Sequence, residues 1–213
     1  MLRFPLFAAV VLLCWLGVGA DVDAHPHAWV DVRSAPVFDE EGHLVAIEQE
    51  WFFDYFYSAF VREELEGDGG VTQEGLDQIA AENMDELEQF EFFTDVRSGP
   101  DRVALGEPHD VAIGYQGERL WLRFVIPVAA PLKADDGDIA YAIYDPTYYI
   151  EMLHFEDEPI MLLGDVAASC QARLVPPNPT MEAVALAGSM AMDAQADNSL
   201  GELFSEWVHV TCP

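Results

Sequence analysis

Residues 25–53 read HPHAWVDVRSAPVFDEEGHLVAIEQEWFF, and two runs of period two within them decide the fold class. In the first, 25–33, His25, His27, Trp29 and Asp31 alternate with Pro26, Ala28, Val30 and Val32, so each set takes one face of a strand. In the second, 44–53, Val45, Ile47, Trp51 and Phe53 form a face that reads as core. Asp39-Glu40-Glu41-Gly42 supplies the turn between them, and the pair reads as a β-hairpin.

Downstream the period changes. Residues 55–66 suit a short amphipathic helix ended by the glycines at 67, 69 and 70. A second helix opens at Thr72 and runs to about Phe93, with Leu76, Ile79, Ala80, Met84, Leu87 and Phe90 at helical spacing. Strand signals return from Arg102. Runs at 110–115 and 119–127 flank the turn Gln116-Gly117-Glu118. Further strands are expected at 139–144, 152–155, 159–163, 171–175 and 207–211, with a short helix at 181–192. The fold class is α+β, mainly antiparallel β-sheet and sandwich-like, with a two-helix insertion at about 55–93.

Residues 1–24 read as a signal peptide. Arg3 gives a positive start, 4–20 are almost wholly apolar, and Val22-Asp23-Ala24 offers small residues for cleavage after Ala24. The alternative is a retained membrane anchor, but the apolar run sits at the lower edge of what spans a bilayer and contains Pro5. Cleavage leaves 25–213, the size of one domain or a compact pair.

The whole chain carries 39 acidic and 9 basic residues, a formal charge of −30. Losing Arg3, Asp21 and Asp23 changes that by a single unit. Such a surface repels nucleic acid and anionic lipid. Lys133 is the sole lysine. With 51% hydrophobic residues the chain is no disordered acidic tail. So many carboxylates on a folded domain suit high salt, where screening removes self-repulsion. Cys170 and Cys212 remain after cleavage, and an even count in an exported chain predicts a disulfide. Closing a loop of roughly 40 residues stabilises by about 4 kcal/mol on a chain-entropy account.

Cleavage after Ala24 would place an imidazole and a free α-amine together on His25. His27 lies on the same strand face. Nitrogen donors of this kind suit a divalent transition metal, Cu, Ni or Zn. Pro26 lacks an amide N–H and so bars the planar mode that binds metal through a deprotonated second amide. Other ligands must then come from elsewhere, and Asp54 and Asp145 are the candidates. Each also has a structural reading: Asp54 as cap of the helix at 55, Asp145 as cap of the turn begun by Pro146. His43, His109, His154 and His209 have no metal-ligand partner at helical or strand spacing and read as structural or exposed. No nucleophile elbow, phosphate-cradling loop or His-Glu-x-x-His is present.

The opening His25-Pro26-His27-Ala28-Trp29-Val30-Asp31 resembles the start of the DUF1007 family. Trp51-Phe52-Phe53-Asp54, Tyr144-Asp145-Pro146-Thr147-Tyr148-Tyr149, Pro177-Asn178-Pro179-Thr180 and the closing Val208-His209-Val210-Thr211-Cys212 extend the likeness over the mature chain. The resemblance implies a periplasmic protein, since members are labelled as periplasmic components of an ABC-type transport system and are associated with transition-metal transport. On that basis the expected function is a non-enzymatic metal-binding accessory of an inner-membrane metal transporter. Two other readings compete: a copper-dependent oxidative enzyme using the terminal histidine, and an ABC-type solute receptor. The receptor fits worst, because such proteins have two α/β lobes and this pattern is antiparallel.

Overall fold

The computed structural model describes residues 26–67, 69–133, 139–158, 160–164, 170–190 and 200–212. The expected signal peptide, 1–24, and His25 lie outside them. The opening hairpin forms as expected, but its first strand is longer: β1 spans Ala28–Phe38 and β2 His43–Phe53. Both faces of this hairpin matter. Val30 and Val32 are buried while Trp29 stands exposed, and Ile47 and Trp51 turn into the core.

Two helices follow, α1 (Tyr55–Gly67) and α2 (Gln73–Glu88). The Thr72 hydroxyl caps α2 by accepting from the Gly75 N–H at 3.1 Å. α2 ends five residues before its expected end. Glu91, Phe92 and Phe93 form a short 310 turn with left-handed backbone, φ 52–54°, which reverses the chain and drives Phe93 onto Trp51, ring centroids 5.9 Å apart. That reversal starts a strand absent from the sequence reading, β3 (Thr94–Ser98). The remaining elements are β4 (Asp101–Arg102), β5 (His109–Gln116), β6 (Arg119–Lys133), β7 (Ile139–Ile143), β8 (Ile150–His154), β9 (Gln171–Val175), α3 (Met181–Ala187), α4 (Leu200–Phe204) and β10 (Trp207–Thr211). In place of the strand expected at 159–163 there is a single bridge, Val37 to Leu163.

The strands make two five-stranded sheets, ordered β5-β6-β2-β1-β8 and β4-β3-β7-β10-β9. All pairs are antiparallel except β1 with β8. The architecture is therefore α+β with a β-sandwich-like arrangement. Val32, Ile47, Leu122, Phe124 and Ile126 from the first sheet bury with Val96, Ile139, Tyr141, Val208 and Val210 from the second. Two polar bridges cross this apolar interior. Trp51 Nε1 donates to Gln49 Oε1, and Gln49 Nε2 to Thr94 Oγ1, both at 2.9 Å. Ser34 Oγ lies 2.8 Å from Tyr141 Oη and 2.8 Å from His154 Nε2, and His154 Nδ1 reaches Glu206 at 3.0 Å. Buried polar groups satisfied in this way fix how one sheet sits on the other. Burial holds the Tyr141 phenol well above the ordinary tyrosine range, so it stays protonated.

Cys170 and Cys212 are disulfide-bonded, 42 residues apart in sequence with Cα atoms at 4.2 Å. They flank the β9–β10 pair, where Gln171 faces Thr211, so the bond ties off one end of that sheet.

Candidate functional site

The start of β1 gathers the residues singled out by sequence. The His27 N–H donates to the Tyr149 carbonyl at 2.9 Å, and the two rings lie 5.1 Å apart. Trp29 exchanges two bonds with Asp54: its N–H donates to Oδ2 at 3.2 Å, and its carbonyl accepts from the Asp54 N–H at 3.0 Å. Asp54 Oδ1 accepts from the N–H groups of Phe56 and Tyr57 at 2.7 and 2.9 Å, the geometry of a helix N-cap. Asp54 therefore joins the first strand to α1.

Asp145 is buried, 4% exposed. Its Oδ1 accepts from the N–H and hydroxyl of Thr147, both at 2.8 Å, and its Oδ2 from the N–H groups of Tyr149 and Ile150, both at 3.0 Å. Four donors occupy the acceptor positions a carboxylate offers. The turn they stabilise contains Tyr148 at φ 57°, its ring stacked on Phe204 with centroids 4.0 Å apart. Gly201 packs against the same turn, since a Cβ there would collide with the Asp145 carbonyl. The turn delivers the Tyr149 carbonyl to His27. Asp54 and Asp145 thus converge on the β1 start through backbone, while their oxygens face N–H groups.

The opposite end of β1 holds a second arrangement, at alternate positions of the turn. Asp39, Glu41 and His43 each bring one potential ligand atom within 4.8 Å of the others. They sit in the β1–β2 turn, where Gly42 takes φ 83° and alternate residues point the same way. Asp39 Oδ1 accepts from the Glu41 and His43 N–H groups at 3.0 and 2.8 Å, and Oδ2 lies 3.1 Å from His43 Nδ1. Desolvation pushes the Asp39 carboxyl up, but the N–H and ring of His43 and the Glu41 N–H outweigh it, so the group lies below its ordinary range. It is anionic at neutral pH. His43, expected to have no metal-ligand partner at helical or strand spacing, has two candidate partners at alternate positions before it. The signal was readable as acid-x-acid-x-His across a turn. Neither His27, Asp54 nor Asp145 belongs to this group.

The other histidines differ. His154 lies in the buried bridge between sheets, as its structural reading expected, and His109 pairs with exposed Asp110 at 3.0 Å. A pocket of about 330 Å³ is lined by Arg33, Glu48, Glu50, Arg123 and Glu158 among others. Its centre is tied up by Arg33, which bonds Glu158 and Glu50 and stacks on Phe52 and Phe155 at 4.7 and 4.8 Å.

The profile of a family described as "Protein of unknown function (DUF1007)" matches residues 9–212. The chain belongs to the DUF1007 family. This DUF1007 chain is 26% identical over 204 residues to an uncharacterized protein of Haemophilus influenzae, covering 94% of the chain and 97% of that protein. Over 99 residues it is 24% identical to an uncharacterized 15.5 kDa protein of Spirochaeta aurantia, covering 46% of the chain and 70% of that protein. No solved structure matches. Among the described residues, no helix of this DUF1007 chain is long and apolar enough to cross a membrane.

Proposed function

We propose that the protein is an exported, non-enzymatic binder of a divalent transition metal that serves an inner-membrane metal transporter. The observation that carries this reading is the turn at Asp39, Glu41 and His43, where an imidazole nitrogen and two carboxylates lie within 4.8 Å of one another. Mixed nitrogen and oxygen donors suit zinc, and the imidazole also suits nickel or copper. Asp39 is already ionised, so the metal need not displace a proton from it. The disulfide is consistent with an oxidising compartment. The transporter and the periplasmic location rest on the family resemblance.

A second site has its own support. His27 is held by backbone and ring contacts to Tyr149, so its position is fixed before any ligand arrives. With His25 and the α-amine released by cleavage after Ala24 it would form a terminal chelate. Of the two carboxylates proposed to complete it, Asp54 is the better candidate, because all four acceptor positions of Asp145 are engaged.

Calorimetric titration of Zn²⁺, Ni²⁺ and Cu²⁺ into the mature protein separates the two sites. His43→Ala should weaken binding at least tenfold if the turn is the site. His27→Ala, or one residue added before His25, should do so if the terminus is. If the native protein binds none of the three metals more tightly than about 10 µM, the metal-binding function is wrong.

A further inference from the structure

α1 is apolar on two faces. Ser58, Val61 and Leu65 face inward and are buried, which accounts for one apolar stripe. Phe56 and Phe60, one turn apart on another face, are 87% and 60% exposed. Tyr55 is 65% exposed, and Trp29 on the adjoining strand is 51% exposed. Phe56 and Phe60, roughly 40° apart around the helix axis, form one patch, whereas Tyr55 lies roughly 140° around from Phe60 with its ring 5.8 Å from the Arg119 guanidinium. Large exposed aromatics grouped in this way mark contact surfaces, and Phe is among the residues enriched in them.

The rim identifies the partner. Glu63, Glu64 and Glu66 of α1 are exposed. The one arginine of the helix, Arg62, is turned aside, its guanidinium 4.3 Å from the Tyr115 ring and its NH2 group bonded to the Gly117 carbonyl. An amphipathic helix that lies on a bilayer carries Lys and Arg on its polar face. This one carries carboxylates, so a membrane surface is disfavoured. A second copy is disfavoured too, because Glu63, Glu64 and Glu66 of one copy would be placed directly against those of the other.

We infer that the patch of Phe56 and Phe60 docks a different protein, one presenting an apolar surface flanked by Lys and Arg. The inference uses neither His27 nor His43 and is independent of metal binding. The two phenylalanines pack on that surface, and Glu63, Glu64 and Glu66 pair with the basic flank, which steers the encounter and sets its salt dependence.

A synthetic 18-residue amphipathic helix of leucine and lysine serves as the probe, with a peptide of equal charge lacking leucine as control. Fluorescence anisotropy of the labelled peptides is read at about 0.15 M and 1 M NaCl, where screening differs severalfold. The expected result is that the leucine–lysine helix binds, that Phe56→Ser with Phe60→Ser weakens it at least tenfold at both salt concentrations, and that the control is indifferent to the double substitution. Both phenylalanines are exposed, and circular dichroism checks that the variant is folded. Equal binding by native and variant protein overturns the inference, since charge alone would then explain it. Two further outcomes overturn it: patch-dependent binding to phosphatidylcholine vesicles, which would mean a membrane surface, and a patch-dependent dimer in sedimentation at 1 M NaCl, which would mean a second copy.

Discussion

At the start of β1, Asp145 is buried with four donors on its two oxygens; at its far end, Asp39 also accepts from the N–H groups of Glu41 and His43 but is partly exposed, beside an exposed Glu41 and an imidazole. The same residue type does two kinds of work. A buried carboxylate whose acceptor positions are all filled fixes the chain and has little left to offer a ligand. One that is partly exposed and shares its turn with a second carboxylate and an imidazole keeps coordinating capacity. The prominence of a motif such as Asp145-Pro146-Thr147-Tyr148-Tyr149 therefore says that its geometry is demanding. It does not say that its side chains meet a ligand.

The largest test of this contrast is Asp145→Ala. Removing a buried acceptor leaves its donors unpaired, and each unsatisfied group is expensive. Stability to urea should fall by about 4 kcal/mol. A loss under about 1 kcal/mol would mean that water replaces the carboxylate and that Asp145 is not architectural. Gly201→Ala comes next. Its Cβ would press into the Asp145 carbonyl, and overpacking against backbone should lower stability by about 2 kcal/mol, seen as a lower midpoint with an unchanged denaturant slope. Unchanged stability there would show that α4 can move away from the turn.

Asp54→Ala removes a helix cap and should lower stability by about 1 kcal/mol. Metal titration of the same variant sharpens the comparison, because an affinity loss beyond the stability effect would assign Asp54 to a terminal chelate. The smallest effect is Asp39→Asn. The folded-state value of the Asp39 carboxyl is lowered, so its stabilisation is present above the unfolded carboxylate value of about 3.9 and is lost as pH falls through the folded value. Because the turn is exposed, the substitution should leave stability at neutral pH almost unchanged and slightly flatten the acid limb of the stability profile. Its effect on metal affinity should be large by contrast, at least tenfold. An unaltered affinity in Asp39→Asn would remove the turn as a site.

Much of the fold was readable because period and burial agree. Val30 and Val32 alternate with Trp29 and Asp31, and the structure buries the first pair and leaves Trp29 exposed. The Cys170–Cys212 bond followed from counting cysteines. The end of α2 was not readable. Phe90, Phe92 and Phe93 continue an apolar pattern past Glu88, and only packing of Phe93 on Trp51 explains why the chain leaves the helix there. β3 was missed for the same reason, since its short run Thr94-Asp95-Val96-Arg97-Ser98 buries a charged residue. Asp95 is 1% exposed, with Arg97 and Arg102 reaching it at 2.8 and 3.2 Å, the second across the β3–β4 reversal that the strand pattern did not signal. At the site, the convergence of Asp54 and Asp145 on one strand end required the β1–β8 pairing, which no local spacing encodes. The turn at Asp39, Glu41 and His43 was local and legible as alternate positions, but Asp39-Glu40-Glu41-Gly42 reads on its own only as the turn of a hairpin.

The position of β10 has a consequence for when the protein can fold. It is the last of the described strands, yet it lies inside its sheet, between β7 and β9, with Val208 and Val210 fully buried. A polypeptide with residues 207–211 still inside a ribosome lacks the strand that joins β9 to the rest of the sheet. Completion must wait for that segment, and the late closure of such long-range pairings slows folding. Its arrival both inserts the missing strand and brings Cys212 beside Cys170.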